Sequence, residues 1–302
     1  MGKGELMDLS IFDDVLVLLE EGNMSRAAQR RNITQPAFSR RIQSFEHWLG
    51  RPIVKRAANR VDIEPALSEN TTELQALAGH IQAFRQRIAG YEPGRSTVTV
   101  AAQHSLIVSI FPDFAAGARA EHQGVDFRLR AANHNDCISL FLSGEASLLM
   151  CYERDGGAPM PFDDSIVRAT WGRDRLVPVV GGPLRFALSP KGVAPPDTPM
   201  IRYPPGTFFA EMLAGASTSY SSHTGAIFAE SAFTVGIKEI VLMGFALAWL
   251  PMSLVYSEVQ SGALLVCNGD TETLPLRISL FARPTDSVSM QLCGLRKSVF
   301  GT

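Results

Sequence analysis

The sequence is poor in cysteine and has no long apolar run. Its four cysteines, Cys137, Cys151, Cys267 and Cys293, lie far apart and form no Cys-x-x-Cys pair. This spacing argues against a disulfide framework and a zinc site, so we expect buried, reduced thiols and no bound metal. No stretch approaches the length of about 18 apolar residues that a membrane-spanning helix needs. The opening residues, MGKGELMDLSIFDD, are too acidic for a signal peptide, and the sequence therefore predicts a soluble cytoplasmic protein.

Motifs of the common enzyme classes are also missing. The chain has no Gly-x-Ser-x-Gly elbow, no His-Glu-x-x-His pair, no P-loop and no convincing Gly-x-Gly-x-x-Gly fingerprint. We therefore expect no catalytic residues, no cofactor and no enzymatic activity. Hydrophobic residues make up 46% of the 302 residues and charged residues 19%, which excludes wholesale disorder and allows about two packed domains.

Basic residues are concentrated in one part of a chain that is slightly acidic as a whole. The formal net charge is -2. Between Gly22 and Val61, however, nine lysines and arginines stand against one acidic residue, Glu46, which gives this segment a local charge of +8. A basic segment of this kind is typical of proteins that bind an anionic partner.

The basic segment and the residues before it have helical periodicity. Apolar residues recur at intervals of three and four in a first helix, at Leu9, Phe12, Leu16 and Leu19. A short second helix follows in SRAAQRR. After a turn, the stretch TQPAFSRRIQSFEHWLG predicts a third helix that begins after the N-cap Thr34 and ends at Gly50. Two helices joined by a tight turn, the second polar and basic at its start, indicate a helix-turn-helix that reads the major groove of DNA.

The start of the third helix carries side chains suited to contacts with DNA bases and phosphates. Gln35 suits an adenine edge, and Arg40 suits guanine or a phosphate. The basic, β-branched stretch from Arg51 to Ile63 predicts a hairpin wing, whose arginines would contact phosphate or the minor groove. The residues that we expect to contact DNA are Ser25, Arg26, Gln35, Pro36, Ser39, Arg40, Arg56 and Arg60. A solvated basic face is the alternative for any single arginine.

After Pro65 the apolar spacing becomes that of a coiled coil. The intervals alternate between three and four as far as the break at Pro93-Gly94, with a polar interruption at Asn70 or Thr71. A long helix that pairs with a second copy of the chain is the favoured interpretation, and a surface helix of a globular domain is the alternative. The residues predicted to form the dimer contact are Leu67, Leu74, Leu77, Ile81, Phe84 and Ile88.

Beyond Arg95 predicted strands alternate with predicted helices. An apolar third strand at 148–151 indicates a parallel sheet covered by helices on both faces. A second series begins near Arg173. The final strand, 276–282, and the helix after it have no strand left to pair with in the second series, so we assign them to the first series. Two α/β lobes with a cleft between them follow from this assignment.

The sequence therefore predicts an α+β protein in three parts. The first part, residues 1–65, is an all-α winged helix-turn-helix domain, and a linker helix of residues 66–94 follows it. Residues 95–302 form a two-lobed α/β domain that binds an effector. Lobe I comprises residues 95–172 and 275–302, and lobe II comprises residues 173–274.

The cleft between the lobes is the predicted ligand site, because parallel strands open a crevice at their carboxyl ends. The first strand is followed by a helix whose amide groups favour an anion or a polar oxygen. His104 could instead be a capping or core histidine, and Thr207 could be a simple N-cap. The residues expected to line the cleft are Gln103, His104, Ser105, Tyr152, Tyr203, Thr207, Phe208 and Ser231.

The first fifty residues resemble the N-terminal signature of LysR-type transcriptional regulators. The resemblance is carried by the GNMSRAA turn, by QPAFSR at the start of the recognition helix and by the Leu-Gly that ends it. It implies a bacterial regulator that binds double-stranded promoter DNA and has two periplasmic-binding-protein-like lobes with a small-molecule effector between them. It also implies a dimer, and a tetramer in which a shift of the dimers changes DNA bending, with no membrane contact.

Two later stretches, AAQHSL and ALAWLP, look closest to a branch of that family with members described as hypochlorite-responsive through methionine oxidation. The chain has ten methionines, most of them expected to fill gaps in the core. The alternative function is therefore a regulator switched by oxidation of methionine or cysteine rather than by a bound metabolite. A thiol switch would require two cysteines that can meet.

Overall fold

A computed structural model describes residues 8–57, 60–89, 95–157, 160, 162, 165–216, 220, 224–267 and 273–295. The chain divides into two compact units, one formed by residues 1–90 with 142–145 and the other by residues 91–141 with 146–302. Among the described residues, no helix is both long enough and apolar enough to cross a membrane.

The N-terminal unit consists of three short helices, a hairpin and a broken fourth helix. Their bounds are α1 Ile11–Glu21, α2 Met24–Arg30, α3 Gln35–Leu49, β1 Val54–Ala57, β2 Arg60–Ile63, α4 Pro65–Glu69 and α5 Thr71–Ala89. Gly22, with a φ of 57°, ends α1, and the side chain of Asn23 accepts hydrogen bonds from two amides of α2. Gly50 ends α3 with a φ of 77°. These turn residues explain why three helices fit into about forty residues.

The apolar faces of these helices form one small core. Phe12 on α1 packs edge-on against Phe45 on α3, with ring centroids 5.8 Å apart. Phe38 and Ile42 of α3 are buried in the same cluster. The strands β1 and β2 pair antiparallel, so the expected wing is present.

The predicted linker helix is broken, and its apolar residues divide between two surfaces. The break falls at Asn70, whose side-chain amide donates to the carbonyl of Ala66. Three of the six expected dimer residues, Leu67, Leu74 and Ile81, pack against the core of the N-terminal unit itself. The other three, at 77, 84 and 88, are exposed. An α-helix has 3.6 residues per turn, so residues seven apart lie along one side of it. Here the side with residues 67, 74 and 81 packs on the core, and the adjacent side with 77, 84 and 88 is exposed.

The C-terminal unit alternates strands and helices as expected. Its elements are β3 Ser96–Gln103, α6 His104–Ser109, α7 Phe111–Glu121, β4 Val125–Ala132, α8 His134–Leu142, β5 Leu148–Arg154, β6 Val167–Gly181, β7 Met200–Arg202, α9 Phe208–Ala214, β8 Ile227–Glu230, α10 Thr234–Leu242, β9 Ala248–Pro251, α11 Met252–Gln260, β10 Leu264–Val266, β11 Leu274–Ala282 and α12 Ser287–Cys293.

One seven-stranded sheet organises this unit. Strand β3 lies between β4 and β5 and is parallel to both, which confirms the predicted parallel core. Strand β11 returns late in the chain and pairs antiparallel with β5 on one side and with β6 on the other. Strand β6 also pairs with β9 and β10. The second series of strands is therefore not one parallel sheet, because β9 and β10 pair antiparallel with β6, whereas β7 and β8 form a separate parallel pair.

Large side chains fill the space between this sheet and its helices. Phe114, Tyr152 and Trp249 are fully buried, together with the apolar run of β5. A strand buried on both faces needs apolar residues at successive positions, which is why β5 reads as a continuous apolar stretch in the sequence.

Candidate functional site

The start of helix α3 presents the residues predicted to read DNA. Thr34 caps this helix by accepting a hydrogen bond from the amide of Ala37 at 3.4 Å. Gln35, Pro36 and Arg40 are exposed, and Ser39 is half-buried. Since Phe38 faces the core, the structure brings these four residues together on the outer side of the helix.

The start of helix α2 adds a second set of exposed groups. The amides of Ser25 and Arg26 both donate to Asn23 Oδ1, at 2.9 and 3.1 Å. The Arg26 side chain does not extend freely, because its Nε lies 3.3 Å from a carboxylate oxygen of Glu21. The predicted wing residues Arg56 and Arg60 lie on β1 and β2, and their side chains fall outside the described residues.

The basic segment is largely neutralised by acidic residues that flank it. Five of its arginines form ion pairs with carboxylates, namely Arg26, Arg30, Arg31, Arg41 and Arg51. Their partners lie just outside the counted segment, at Asp13, Asp14, Glu20, Glu21 and Glu64. The local charge of +8 therefore overstates the field of the folded unit, since residues 8–64 contain nine basic and eight acidic residues.

Arg40 differs from these five arginines. Among the described residues it makes no ion pair, and its Nε lies 3.4 Å from the carbonyl oxygen of Pro36 in the same helix. An exposed guanidinium without a carboxylate partner can bind a phosphate or the guanine edge with no partner to displace.

A cavity of about 190 Å³ opens in the C-terminal unit at the carboxyl ends of several strands. Six of the eight predicted effector residues line it: Gln103, His104, Ser105, Tyr203, Thr207 and Phe208. The lining residues that the prediction missed include Asn133, His134, Asn135, Asp136 and Thr234. They could have been found by the rule that selected Gln103, because residues 133–136 directly follow strand β4 and begin helix α8.

Four helices begin at this cavity, and their first turns face it. These are α6, α8, α9 and α10, which start at His104, His134, Phe208 and Thr234. The residues preceding α6, α9 and α10 make no side-chain capping hydrogen bond to their helices. Amides at the start of a helix are hydrogen-bond donors without a partner in the helix, so the cavity is suited to oxygen atoms of a ligand.

Tyr152 and Ser231, the other two predicted effector residues, are not among the lining residues. Tyr152 is fully buried behind the cavity, where its amide donates to Gln103 Oε1 at 3.0 Å and its hydroxyl donates to Asp174 at 3.1 Å. Ser231 accepts a hydrogen bond from the amide of Phe233 just before helix α10. Ser231 directly follows β8, whereas Tyr152 lies within β5, and the side chains of both make hydrogen bonds within the protein.

The comparisons with known proteins follow this division into two units. A family model described as the LysR substrate binding domain matches residues 92–292, and one described as a bacterial regulatory helix-turn-helix protein of the lysR family matches residues 8–66. The chain belongs to the LysR family of transcriptional regulators. The resemblance seen in the sequence is therefore confirmed.

Individual LysR regulators align with nearly the whole chain. The HTH-type transcriptional regulator YjiE of Escherichia coli K12 is 25% identical over 272 residues, covering 87% of this chain and 85% of that protein. Full-length HypT of Salmonella typhimurium, a hypochlorite-specific regulator, has a TM-score of 0.57 at 19% identity over 95% of this chain and 99% of its own. DarR of Vibrio fischeri, solved with DNA, has a TM-score of 0.57 at 21% identity. The alignment covers 98% of this chain and 100% of DarR. These structures confirm the predicted fold class.

The cysteines of this LysR regulator lie in its interior. All four are buried, and burial raises the pKa of Cys137 to about 12 and that of Cys293 to about 11. The pKa of Cys151 is also raised well above its ordinary value, mainly by burial. Because the thiolate is the reactive form, these three thiols are poorly suited to redox sensing at neutral pH.

His134 forms one wall of the cavity. Its ring stacks on Phe208, with centroids 4.3 Å apart, and its Nδ1 lies 3.4 Å from Gln103 Oε1. Burial lowers the pKa of His134 to about 4, so the imidazole is neutral at pH 7. The described lining residues include one acidic side chain, Asp136, and no lysine or arginine.

Acidification should therefore destabilise this regulator through His134. In the unfolded chain His134 binds a proton near pH 6.5, whereas in the folded protein it does so only near pH 4. The neutral, buried ring therefore makes its full contribution to stability above pH 6.5, and this contribution is lost as the pH falls toward 4. The loss should reach about 2 kcal/mol by pH 5. Urea unfolding between pH 7.5 and 4.5 measures it. His134→Gln should flatten this part of the profile, whereas the control His122→Gln should not, and an unchanged profile in His134→Gln would contradict the buried neutral ring.

Proposed function

We propose that this LysR regulator reads promoter DNA through the start of helix α3 and responds to a small oxygen-rich metabolite in its cavity. The observation that supports the DNA role best is the exposed face of Gln35, Pro36, Ser39 and Arg40 on a capped helix. Arg40 has no carboxylate partner among the described residues, so it is the arginine of the described set best prepared for a base edge or phosphate. Such a regulator would act in the bacterial cytoplasm, at the nucleoid.

The size and lining of the cavity define the proposed effector. A cavity of about 150 Å³ holds a benzene ring, so about 190 Å³ suits a compact metabolite slightly larger than benzene. The first turns of four helices supply hydrogen-bond donors, and Phe208 and His134 supply a flat apolar wall. A small carboxylate or a related ligand with carbonyl oxygens meets both requirements.

A ligand in the cavity would act on a chain of hydrogen bonds behind it. Gln103 lines the cavity and accepts the amide hydrogen of Tyr152 on β5. The Tyr152 hydroxyl reaches Asp174 on β6, and Asp174 in turn accepts the amide hydrogen of Ser253 in the first turn of α11, at 3.1 Å. A ligand that binds one arrangement of these elements better than another shifts the population toward it.

The exposed apolar residues of helix α5 support a dimer. Leu77, Phe84 and Ile88 are 48%, 57% and 63% exposed. They are seven and four positions apart, so they lie on one side of the helix and form an apolar strip exposed to water. Pairing with a second copy would remove this surface from water. We propose a dimer through these three residues, and a tetramer of such dimers on DNA.

Oxidation is the second candidate signal, and it concerns methionine rather than cysteine. Met243 is 66% exposed at the end of helix α10, whereas the other methionines of the described residues are buried or half-buried. The similar regulator HypT is named hypochlorite-specific. An exposed thioether is open to oxidation, and oxidation makes it polar.

Replacing Arg40 tests the DNA role. Arg40→Ala should leave the fold and the oligomeric state unchanged, because the side chain is exposed, but it should weaken binding to an enriched genomic fragment at least tenfold. Genomic fragments captured by the purified protein, followed by gel-shift titration at fixed salt, provide the measurement. Arg119→Ala, a change of the same charge in α7, serves as the control. Undiminished affinity of Arg40→Ala for the captured fragment would contradict the assignment.

Replacing Phe84 tests the dimer. Phe84→Glu places a charge in the proposed contact and should yield monomers in analytical ultracentrifugation at micromolar concentration. Gln75→Glu adds the same charge to an exposed position of the same helix and should leave the dimer intact. A wild-type monomer, or a dimer that survives in Phe84→Glu, would refute the proposed contact.

Replacing Thr234 tests the effector site. A panel of small carboxylates, amides and diols should contain compounds that raise the unfolding midpoint, since a ligand at about 100 times its Kd stabilises by about 2.7 kcal/mol. Thr234→Val removes one hydroxyl from the lining and should weaken that binding about tenfold. Thr97→Val, on the exposed side of β3, is the control. Equal binding by wild type and Thr234→Val would place the ligand elsewhere.

A further inference from the structure

Two acidic residues at the end of helix α1 hold two exposed arginines of helix α2. Arg30 Nη2 lies 2.6 Å from Glu20 Oε2, and Arg30 Nη1 lies 3.1 Å from Glu21 Oε1. Arg26 Nε contacts the other carboxylate oxygen of Glu21 at 3.3 Å, and Arg26 also donates to the backbone carbonyl of Glu21. The two carboxylates therefore engage both arginines at once.

Stability of the fold does not account for these acidic residues. They occupy the last turn of α1, where the negative end of the helix dipole disfavours a carboxylate, and no basic residue stands in that turn. The arginine side chains are 67% and 51% exposed, and exposed ion pairs contribute little to stability. Residues that are unfavourable at their position in a helix and add little to stability often serve function, and Glu20 and Glu21 meet both conditions.

Asp14 provides the contrast within the same unit. It is fully buried and accepts hydrogen bonds from Arg31 Nε at 2.6 Å and Arg41 Nη1 at 3.0 Å. Those contacts join three helices and belong to the fold. The side chains of Glu20 and Glu21 are 50% and 23% exposed and those of their arginine partners more than half exposed, so salt or a competing anion can replace these contacts.

These carboxylates compete with DNA phosphates for the same guanidinium groups. Binding to random DNA depends almost entirely on the number of phosphates that basic side chains neutralise. An arginine already paired with a carboxylate adds little to this affinity, because the negative carboxylate offsets the attraction of its positive charge for the phosphates. It can exchange the carboxylate for a phosphate where base contacts of the recognition helix already hold the protein in place.

We propose that Glu20 and Glu21 raise the specificity of DNA binding by pairing with Arg26 and Arg30, so that these arginines contribute little to affinity for random sequence. This inference rests on the proposed DNA role of helices α2 and α3. It assigns to two acidic residues a part in sequence discrimination, although neither needs to touch a base.

The double variant Glu20→Gln/Glu21→Gln tests the proposal with a random-sequence duplex, so no operator is needed. Fluorescence anisotropy at a series of salt concentrations should show affinity raised on the order of tenfold at low salt. The slope of log K against log salt should steepen by about 0.9 for each arginine released in each bound subunit. The preference for a captured genomic fragment over the random duplex should fall by a similar factor.

Two further variants separate this mechanism from a general change in charge. Glu121→Gln/Glu211→Gln removes two exposed acidic residues from the C-terminal unit and should leave random-duplex affinity within about twofold of wild type. Adding Arg30→Gln to the Glu20/Glu21 variant should reverse much of the gain. Unfolding midpoints of all variants should stay close to that of the wild type, since the replaced groups are surface ion pairs.

The inference is overturned if random-duplex affinity and salt slope do not change in the Glu20/Glu21 variant, or if the control pair raises them equally. A wild-type protein that prefers no genomic fragment over random competitor defeats the proposed function instead. In that case the random-duplex titration still decides whether Glu20 and Glu21 mask the arginines.

Discussion

The buried carboxylate of Asp14 is the contact on which the DNA-binding unit depends. It lies on α1 and binds one arginine that follows α2 and one on α3, so a single side chain fixes the three helices against one another. The apolar core of the described residues is small, and the linker contributes buried Leu74 and Ala78 to it. The ion pair with Arg41 therefore acts together with packing to hold α3, and its exposed face, in place.

In the effector unit the corresponding constraint is the direction of the strands. Parallel strands β3 and β4 bring their carboxyl ends to one edge, and the helices that follow them start at the same place. The strands β7 and β8 do the same from the other part of the unit. The first turns of four helices therefore meet at the cavity, and the described lining residues include no lysine or arginine.

The sequence predicted this fold and six of the fifteen residues that line the cavity, because both follow local rules. Capping by Thr34, the stop at Gly50 and the continuous apolar run of β5 are short-range signals, and each produced the expected element. The position of Tyr152 was wrong for a physical reason. Strand β5 continues past Tyr152 to Arg154, so the side chain stays behind the cavity, where its hydroxyl donates to Asp174, 22 residues away in the sequence.

The charge of the DNA-binding unit shows a second limit of local reasoning, and it bears on function. Counting from Gly22 to Val61 gives a strongly basic segment, but folding brings Asp13, Asp14, Glu20, Glu21 and Glu64 against its arginines. A regulator must find a few sites among a vast excess of random DNA, and excess positive charge strengthens binding to both equally. On the proposed DNA role, internal pairing of these arginines would restrain attraction to random DNA, whereas Arg40 makes no ion pair among the described residues. In the proposed mechanism the acidic residues around the helix-turn-helix therefore contribute to recognition alongside the basic ones.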